Sequence, residues 1–243
     1  MLKYKYKLNE LWKFIICLLF YKEACMSNPA LNSIIDHTLL KPDATEDAIV
    51  KLCSEAREYA FHSVCVNSTW VKLCAKELRD SAVKVCTVIG FPLGAMSTFG
   101  KENETKQAID DGVQEVDMVL NIGALKSELY EKAANDIRTI VKICNGNILT
   151  KVILEMCLLT EKEKKLAIQM CIDEGADFVK TSTGFSSGGA TVEDVKLMRA
   201  MVGTKLGVKA SGGIRSKADA EKMVQAGANR LGTSAGIKIV TEA

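Results

Sequence analysis

Histidine and proline are scarce in this 243-residue chain, and an excess of charge of one sign is almost absent. Two histidines, His37 and His62, are too few for a histidine-rich zinc or iron centre, so we expect no metal site. The 32 Lys and Arg residues nearly balance the 30 Asp and Glu residues, and a net charge of +2 lacks the basic footprint of a nucleic-acid-binding protein. We therefore expect no nucleic-acid partner, and local groups have to hold any anionic ligand.

Paired cysteine motifs are missing as well, although the chain contains nine cysteines. The number is odd, and no CxxC pair occurs. Seven cysteines stand inside apolar patterns, which is typical of reduced core residues: Cys53, Cys65, Cys74, Cys86, Cys144, Cys157 and Cys171. This usage of cysteine predicts a cytoplasmic protein.

The sequence offers no apolar run long enough to cross a membrane. The run from Phe14 to Tyr21 has only eight residues, and it lies in an N-terminal extension, 1–26, that differs from the rest. The extension is either a mis-assigned start, since Met26 would make a clean beginning, or a targeting segment, since the run has the length of a signal-peptide core. We expect no membrane partner and one domain over 27–243.

Short β-rich runs alternate with longer helical patterns from Ile34 onward, which is typical of βα units around a parallel sheet. Eight runs are predicted as strands: Ile34–Thr38, Ser63–Asn67, Val83–Gly90, Glu115–Asn121, Thr150–Met156, Asp177–Ser182, Gly207–Ser211 and Asn229–Ser234. Capping patterns predict helix starts after Thr45, Thr160, Thr191 and Ser216. The pattern predicts an α/β fold, a single (β/α)8 TIM barrel. A doubly wound sheet is the alternative, but the glycines concentrate after the last three runs rather than after the first.

Four charged residues lie on consecutive predicted strands, four to seven. Because side chains alternate along a strand, Asp117, Glu155, Lys180 and Lys209 are expected to point into the barrel lumen. A lysine and glutamate pair that merely fills the lumen is the plain alternative. Burying four ionisable groups is nevertheless costly unless they are paired or used in chemistry.

The two lysines on neighbouring strands indicate amine chemistry. Burial and a nearby like charge both disfavour an ammonium, so we expect each of Lys180 and Lys209 to lower the pKa of the other. A neutral amine attacks a carbonyl to form a Schiff base, whose iminium accepts electrons when an adjacent C–C bond breaks. Asp117 is the inward carboxylate that suits proton transfer.

Glycine-rich segments follow the last three predicted strands. They read "TSTG" from Thr181, "SGGIR" from Ser211 and "GTSAG" from Gly232. In barrels, backbone N–H groups after strands seven and eight commonly bind phosphate. The segments therefore predict a phosphorylated small-molecule substrate.

The motifs "IDHTLLKP", "VCVN", "EVDMVLNIGALKS", "FVKTSTGF" and "VKASGGIR" closely resemble those of the deoxyribose-phosphate aldolase family, over 31–240. These are class I aldolases with a (β/α)8 fold. The resemblance implies reversible cleavage of 2-deoxy-D-ribose 5-phosphate to D-glyceraldehyde 3-phosphate and acetaldehyde in deoxyribonucleoside catabolism. It also implies that no cofactor or metal is needed, and that a homodimer is possible. Another Schiff-base barrel aldolase, transaldolase-like or acting on keto acids, and a catalytically idle binding barrel are the alternatives.

The resemblance also assigns roles to residues. It implies Lys180 as the Schiff-base lysine, Lys209 as the lysine that perturbs it and Asp117 as the proton relay. A supporting network is expected from Asp36, Glu155 and Thr38, and phosphate contacts from Gly184, Ser211, Gly212, Gly213, Gly232 and Ser234. Some members have a basic residue after "TSTG", whereas this chain has Phe185 there. Phosphate binding would then depend on backbone dipoles and Arg215.

Overall fold

Eight parallel strands close into a barrel in the computed structural model, which describes residues 30–242. The strands are β1 Ile35–Leu39, β2 Ser63–Val66, β3 Lys84–Ile89, β4 Glu115–Val119, β5 Leu149–Ile153, β6 Phe178–Lys180, β7 Gly207–Ser211 and β8 Arg230–Thr233. Each strand pairs with the next in sequence, and β1 pairs with β8 through the register Asp36 to Gly232. The predicted (β/α)8 barrel is confirmed, and the extension proposed for 1–26 lies outside the described residues.

Helices follow the strands around the barrel. Within the described part of the chain, the α-helices are α1 Glu46–Glu58, α2 Val71–Glu77, α3 Thr98–Asp110, α4 Ile122–Lys126, α5 Tyr130–Cys144, α6 Glu161–Asp173, α7 Val192–Val202, α8 Lys217–Gln225 and α9 Gly236–Thr241. Short 3-10 helices occur at Leu31–Ile34, Ser68–Trp70 and Met156–Leu158. No helix among residues 30–242 is long and apolar enough to span a membrane.

The predicted helix starts are confirmed by the side-chain caps. Thr160 and Ser216 each form a full capping box, with Glu163 and Asp219 respectively. The hydroxyls of Thr45 and Thr191 accept from backbone N–H groups of the first turn. These caps fix where each helix begins after the loop that leaves the C-terminal end of the preceding strand.

The main apolar core lies between the strands and the surrounding helices. Outward-facing strand residues such as Val116, Met118 and Val179 are fully buried there. A small second cluster, formed by Leu40, Cys65, Cys86 and Val88, is buried separately. Of the seven cysteines predicted to be core residues, six are buried, but Cys157 is exposed because it lies in the 3-10 turn that follows β5. The prediction for Cys157 is therefore wrong.

Candidate active site

One carboxylate, Asp117 on β4, lies at the centre of a buried charge cluster. Its Oδ2 accepts from Lys180 Nζ at 2.8 Å and from Lys209 Nζ at 2.7 Å. Its Oδ1 accepts from Lys151 Nζ at 2.8 Å. The three lysines come from β5, β6 and β7, so the parallel register of the barrel brings three ammonium groups to one acid.

A second carboxylate, Asp36 on β1, supports the cluster from the other side. It contacts Lys209 Nζ, accepts from Arg230 Nε at 3.0 Å and accepts from Ser63 Oγ at 2.7 Å. Because β1 and β8 are neighbours in the closed barrel, Arg230 reaches Asp36 across the seam. Asp36 thus contacts the lysine cluster, and its expected supporting role stays a prediction.

A third carboxylate, Glu115, lies two residues before Asp117 on the same face of β4. It contacts Lys151 Nζ at 2.6 Å, Arg230 at 2.8 Å and His62 Nε2 at 3.2 Å. In this cluster, four cations (Lys151, Lys180, Lys209 and Arg230) face three carboxylates (Asp36, Glu115 and Asp117). With every group ionised, one positive charge remains uncompensated, and release of one lysine proton balances the cluster.

The electrostatics of the buried groups are dominated by opposite charges. Burial alone would raise the pKa of Asp117, but the three lysines hold it well below its ordinary value. Burial alone would lower the pKa of Lys209, but Asp117 and Asp36 raise it overall. The lowered pKa expected for Lys209 is therefore wrong, because the expectation considered the neighbouring lysine and left out two adjacent acids.

Among the cluster lysines, Lys180 alone lines the pocket at the C-terminal end of the barrel. The pocket has a volume of about 390 Å³. The side chain of Lys180 is 4% exposed, whereas those of Lys151 and Lys209 are 0% exposed. A carbonyl compound in this pocket can therefore reach the amine of Lys180 and neither of the other two.

The other residues expected to bind substrate line the same pocket: Thr38, Gly184, Ser211, Gly212, Gly213, Gly232 and Ser234. Ser211 also ties two loops together, because its N–H donates to Thr181 Oγ1 at 3.0 Å and its hydroxyl donates to Ser182 O at 2.6 Å. Gly212 and Gly213 have φ values of +84° and +82°, which glycine adopts at no steric cost. The segment after β7 can therefore turn its backbone around the pocket.

Glycine at position 232 has a packing reason as well. A Cβ atom there would lie 3.1 Å from Lys209 Cε and 3.0 Å from Ser211 Cβ. Because Gly232 has no side chain, the aliphatic part of Lys209 has room to extend towards Asp117. Gly232 thus contributes to the cluster as well as to the pocket wall.

Glu155 is the one predicted member of the charged group whose contacts lie elsewhere. Its carboxylate accepts from Thr183 N at 3.3 Å and from the Thr183 hydroxyl. β5 ends at Ile153, and Glu155 has a φ of +55°, so the strand alternation no longer governs where its side chain points. Glu155 holds the loop after β6 instead of contacting the lysines, and its expected convergence with them is not observed.

Three cluster members were absent from the sequence prediction: Glu115, Lys151 and Arg230. Glu115 lies two residues before Asp117, and Lys151 lies four residues before Glu155; both Asp117 and Glu155 were predicted to face inward. The same alternation, continued towards the start of each strand, would have placed Glu115 and Lys151 in the lumen. Arg230 pairs with Asp36 across the junction of β1 and β8, and this contact could not be predicted from the sequence without knowing that the barrel closes there.

One group in the described residues offers potential metal ligands, namely Cys65, Cys86 and Asp117, whose ligand atoms lie within 4.8 Å of one another. Lys151 Nζ already lies 3.5 Å from Cys86 Sγ and 2.8 Å from Asp117 Oδ1. A metal ion would have to displace this ammonium. The expectation that no metal is needed stays a prediction.

Fold and site together define a class of protein: a barrel enzyme whose pocket presents one lysine beside a buried aspartate, as a lysine-dependent aldolase requires. The DeoC/LacD family aldolase model matches residues 32–240, and the chain belongs to this family. The predicted resemblance is confirmed.

Within this family, the chain is similar to several proteins that are named deoxyribose-phosphate aldolase. The chain is 61% identical to the deoxyribose-phosphate aldolase of Halalkalibacterium halodurans over 212 residues, which cover 87% of this chain and 95% of the relative. It is 58% identical to that of Clostridium tetani, with 87% and 98% covered. The tetrameric deoxyribose phosphate aldolase structure from Aeropyrum pernix is 35% identical, with a TM-score of 0.82, 88% of this chain covered and 91% of the other.

Proposed function

We propose that the protein is a deoxyribose-phosphate aldolase that cleaves 2-deoxy-D-ribose 5-phosphate reversibly to D-glyceraldehyde 3-phosphate and acetaldehyde. The observation that carries the proposal is the placement of Lys180, the single cluster lysine that lines the pocket, with its Nζ 2.8 Å from Asp117 Oδ2. Relatives about 60% identical over most of the chain, all named deoxyribose-phosphate aldolase, support the substrate assignment.

The reaction begins at the aldehyde carbon of the open-chain sugar. The amine of Lys180 attacks this carbon, and loss of water gives a protonated imine. A base takes the proton from the hydroxyl on the third carbon, the bond between the second and third carbons breaks, and its electrons move into the imine to form an enamine. Glyceraldehyde 3-phosphate leaves. Protonation of the enamine and hydrolysis of the imine then release acetaldehyde and the free amine.

The buried neighbours of Lys180 move and balance charge in this sequence. Asp117 Oδ2 lies within hydrogen-bond distance of the reacting nitrogen, which suits it to proton relay during carbinolamine formation. Lys209, whose pKa is raised overall by Asp117 and Asp36 against the effect of burial, stays cationic. When Lys180 gives up a proton, the three remaining cations, Lys209 among them, balance the three carboxylates of the cluster. We interpret the expected effect of Lys209 on Lys180 in this way.

Other aldolases that use a Schiff-base lysine accept a ketose or a keto acid in place of acetaldehyde. The glycine loops after β6, β7 and β8, which wall the pocket around Lys180, support a phosphorylated substrate. The relatives named deoxyribose-phosphate aldolase favour an aldehyde donor over a ketose or a keto acid. We infer further that the enzyme works in a reducing cytoplasmic compartment, in keeping with the seven free cysteines among the described residues. Self-association as a homodimer is proposed from the family resemblance alone.

Borohydride trapping tests the assignment. Incubation of the protein with acetaldehyde and borohydride should add one ethyl group, and peptide mass spectrometry should locate it on Lys180. Lys180→Arg should remove both the adduct and the turnover, because a guanidinium does not act as the nucleophile. Replacement of the exposed Lys205 by Arg is the matched control and should change neither.

Two results would contradict the proposal. Turnover that persists in Lys180→Arg removes the lysine from the chemistry. Efficient trapping of pyruvate or a ketose, with none of acetaldehyde, assigns the same lysine to one of the other Schiff-base aldolases.

A further inference from the structure

Two cations lie in the pocket besides Lys180: Lys41, from the loop after β1, and Arg215, from the loop after β7. Neither side chain makes an ion pair or a hydrogen bond with another residue in 30–242, whereas Lys180 is held by Asp117. Both side chains are therefore available to bind a ligand. Lys41 has no role in the site described so far.

The barrel topology places Lys41 beside the glycine segments. β1 pairs with β8, with Asp36 opposite Gly232 and His37 opposite Thr233, so the loops that leave these two strands are neighbours. β7 pairs with β8 on the other side, with Ser211 opposite Gly232. Lys41 and Arg215 consequently approach the Gly232–Ser234 segment from opposite sides.

The backbone of Lys41 is fixed although its side chain is exposed. The carbonyl of Leu40 accepts from Asn67 Nδ2 at 3.2 Å, and the carbonyl of Lys41 accepts from Ala44 N at 3.2 Å. Leu40 is buried in the small apolar cluster, and Pro42 restricts the following φ. A lysine on such a turn starts from a defined position, so binding a ligand orders little more than its own side chain.

The loop after β6 adds no cation to the pocket beyond Lys180 at the end of the strand itself. Phe185 follows "TSTG", and its ring packs edge-on against Phe91 with centroids 5.2 Å apart. A phosphate monoester carries a charge of about −1.5 to −2 near neutral pH, which two cations match. Backbone N–H groups alone would leave most of that charge uncompensated.

We infer that Lys41 is a specificity-determining residue that binds the substrate phosphate together with Arg215 and so replaces the charge that Phe185 does not provide. The inference rests on the proposed function. It extends that function by assigning the preference for phosphorylated over unphosphorylated sugars to a residue on the first βα loop.

Lys41→Met tests the assignment with two substrates. For 2-deoxyribose 5-phosphate we expect KM to rise about 10- to 100-fold, the effect of losing one charge-assisted hydrogen bond, with kcat nearly unchanged. For unphosphorylated 2-deoxyribose, kcat/KM should stay within about 2-fold, because the lost group contacts only phosphate. Lys205→Met, at an exposed lysine before β7, is the matched control and should leave both substrates unaffected.

Two further variants separate a binding role from a structural one. Lys41→Arg should restore the KM for the phosphorylated sugar to within a few-fold of the original chain, because it keeps the charge. Phe185→Lys in the Lys41→Met background should recover part of the loss, because it adds a cation to the pocket lining. Equal losses for both substrates, or an unchanged KM for the phosphorylated sugar, would overturn the inference.

The acetaldehyde adduct distinguishes the two levels of failure. If the original chain forms the adduct and cleaves the phosphorylated sugar but Lys41→Met behaves identically, the role of Lys41 is wrong and the proposed function stands. If the original chain neither forms the adduct nor cleaves the sugar, the proposed function itself is wrong.

Discussion

At the scale of single residues, the site depends on one carboxylate that serves three ammonium groups. Asp117 is completely buried, and each of its oxygens accepts a hydrogen bond from lysine. Such a group cannot rotate to serve one lysine without leaving another unpaired. Its two functions, holding the charge cluster together and relaying protons to Lys180, are therefore inseparable in the native side chain.

Asp117→Asn separates the structural function from the proton relay in part, because the amide keeps the shape of the carboxylate but loses its charge. We expect kcat to fall by about 10² to 10⁴, the usual contribution of a general acid or base. Exchange of the methyl protons of acetaldehyde with deuterated water, followed by NMR, should slow by a similar factor. Exchange at the full rate in a folded variant would exclude Asp117 from the proton relay.

Residue-level prediction from the sequence worked where strand alternation applied. Lys180 and Lys209 were expected to face inward and do so, because both lie within regular strands. Glu155 was misplaced because it lies beyond the end of β5, at a backbone angle that the alternation rule does not cover. The net effect on the pKa of Lys209 depends on all of its charged neighbours, and one of them, Asp36, lies 173 positions earlier in the chain.

At the scale of elements, a second buried ion pair joins two helices to the strand that carries Asp117. Lys101 on α3 is fully buried, and its Nζ lies 2.7 Å from Asp136 Oδ2 on α5 and 2.8 Å from the carbonyl of Val119, the last residue of β4. A Cβ on Gly90 would lie 2.8 Å from Lys101 Cε, so the loop after β3 also packs on this side chain. The pair therefore fixes the C-terminal end of β4.

Asp136→Asn tests how much the Lys101–Asp136 ion pair contributes to the free energy of unfolding. Removal of one partner leaves a buried ammonium without its counter-charge, and we expect the free energy of unfolding to fall by about 3–5 kcal/mol in urea titrations. Lys106→Met provides the comparison, because the exposed Lys106–Glu102 pair on the same helix should contribute only about 0.3–0.5 kcal/mol. Equal losses from the two variants would show that the buried pair has no special role.

The elements themselves were largely predictable. All eight strands were located to within a few residues, because a parallel barrel requires apolar runs at regular intervals and glycines near the ends of helices. The caps at Thr160 and Ser216 could be predicted because a capping box is a local sequence pattern. The Lys101–Asp136 pair was not, because neither residue belongs to a short motif and their contact depends on how α3 packs against α5.

At the scale of the whole molecule, buried carboxylates make stability depend on pH. Burial alone would raise the pKa of Asp36, but Lys209 and Arg230 lower it from 3.8 to about 2. The unfolded chain therefore binds the Asp36 proton at a higher pH than the folded protein does. This contribution to stability is complete above the unfolded pKa and is lost as the pH falls from 3.8 towards 2.

We expect the thermal midpoint of the protein to decrease across this window. Glu115 and Asp117 also have pKa values that their cationic neighbours lower despite burial, so they add to the decrease within the window and extend it to lower pH. Calorimetry from about pH 5 downward measures the slope. Asp36→Asn should have a lower midpoint throughout and a shallower slope between pH 3.8 and 2, whereas the exposed Asp43→Asn should follow the original curve. A slope unchanged in Asp36→Asn would contradict the assignment.

The seam of the barrel has a consequence for how the protein is made. Asp36, on the first strand, is translated 194 residues before its partner Arg230, on the last strand. Until β8 is synthesised, no ring exists and Asp36 lacks one of its two cationic partners, the other being Lys209 on β7. A nascent chain that stops before β8 therefore cannot close the barrel, and we expect it to have no activity.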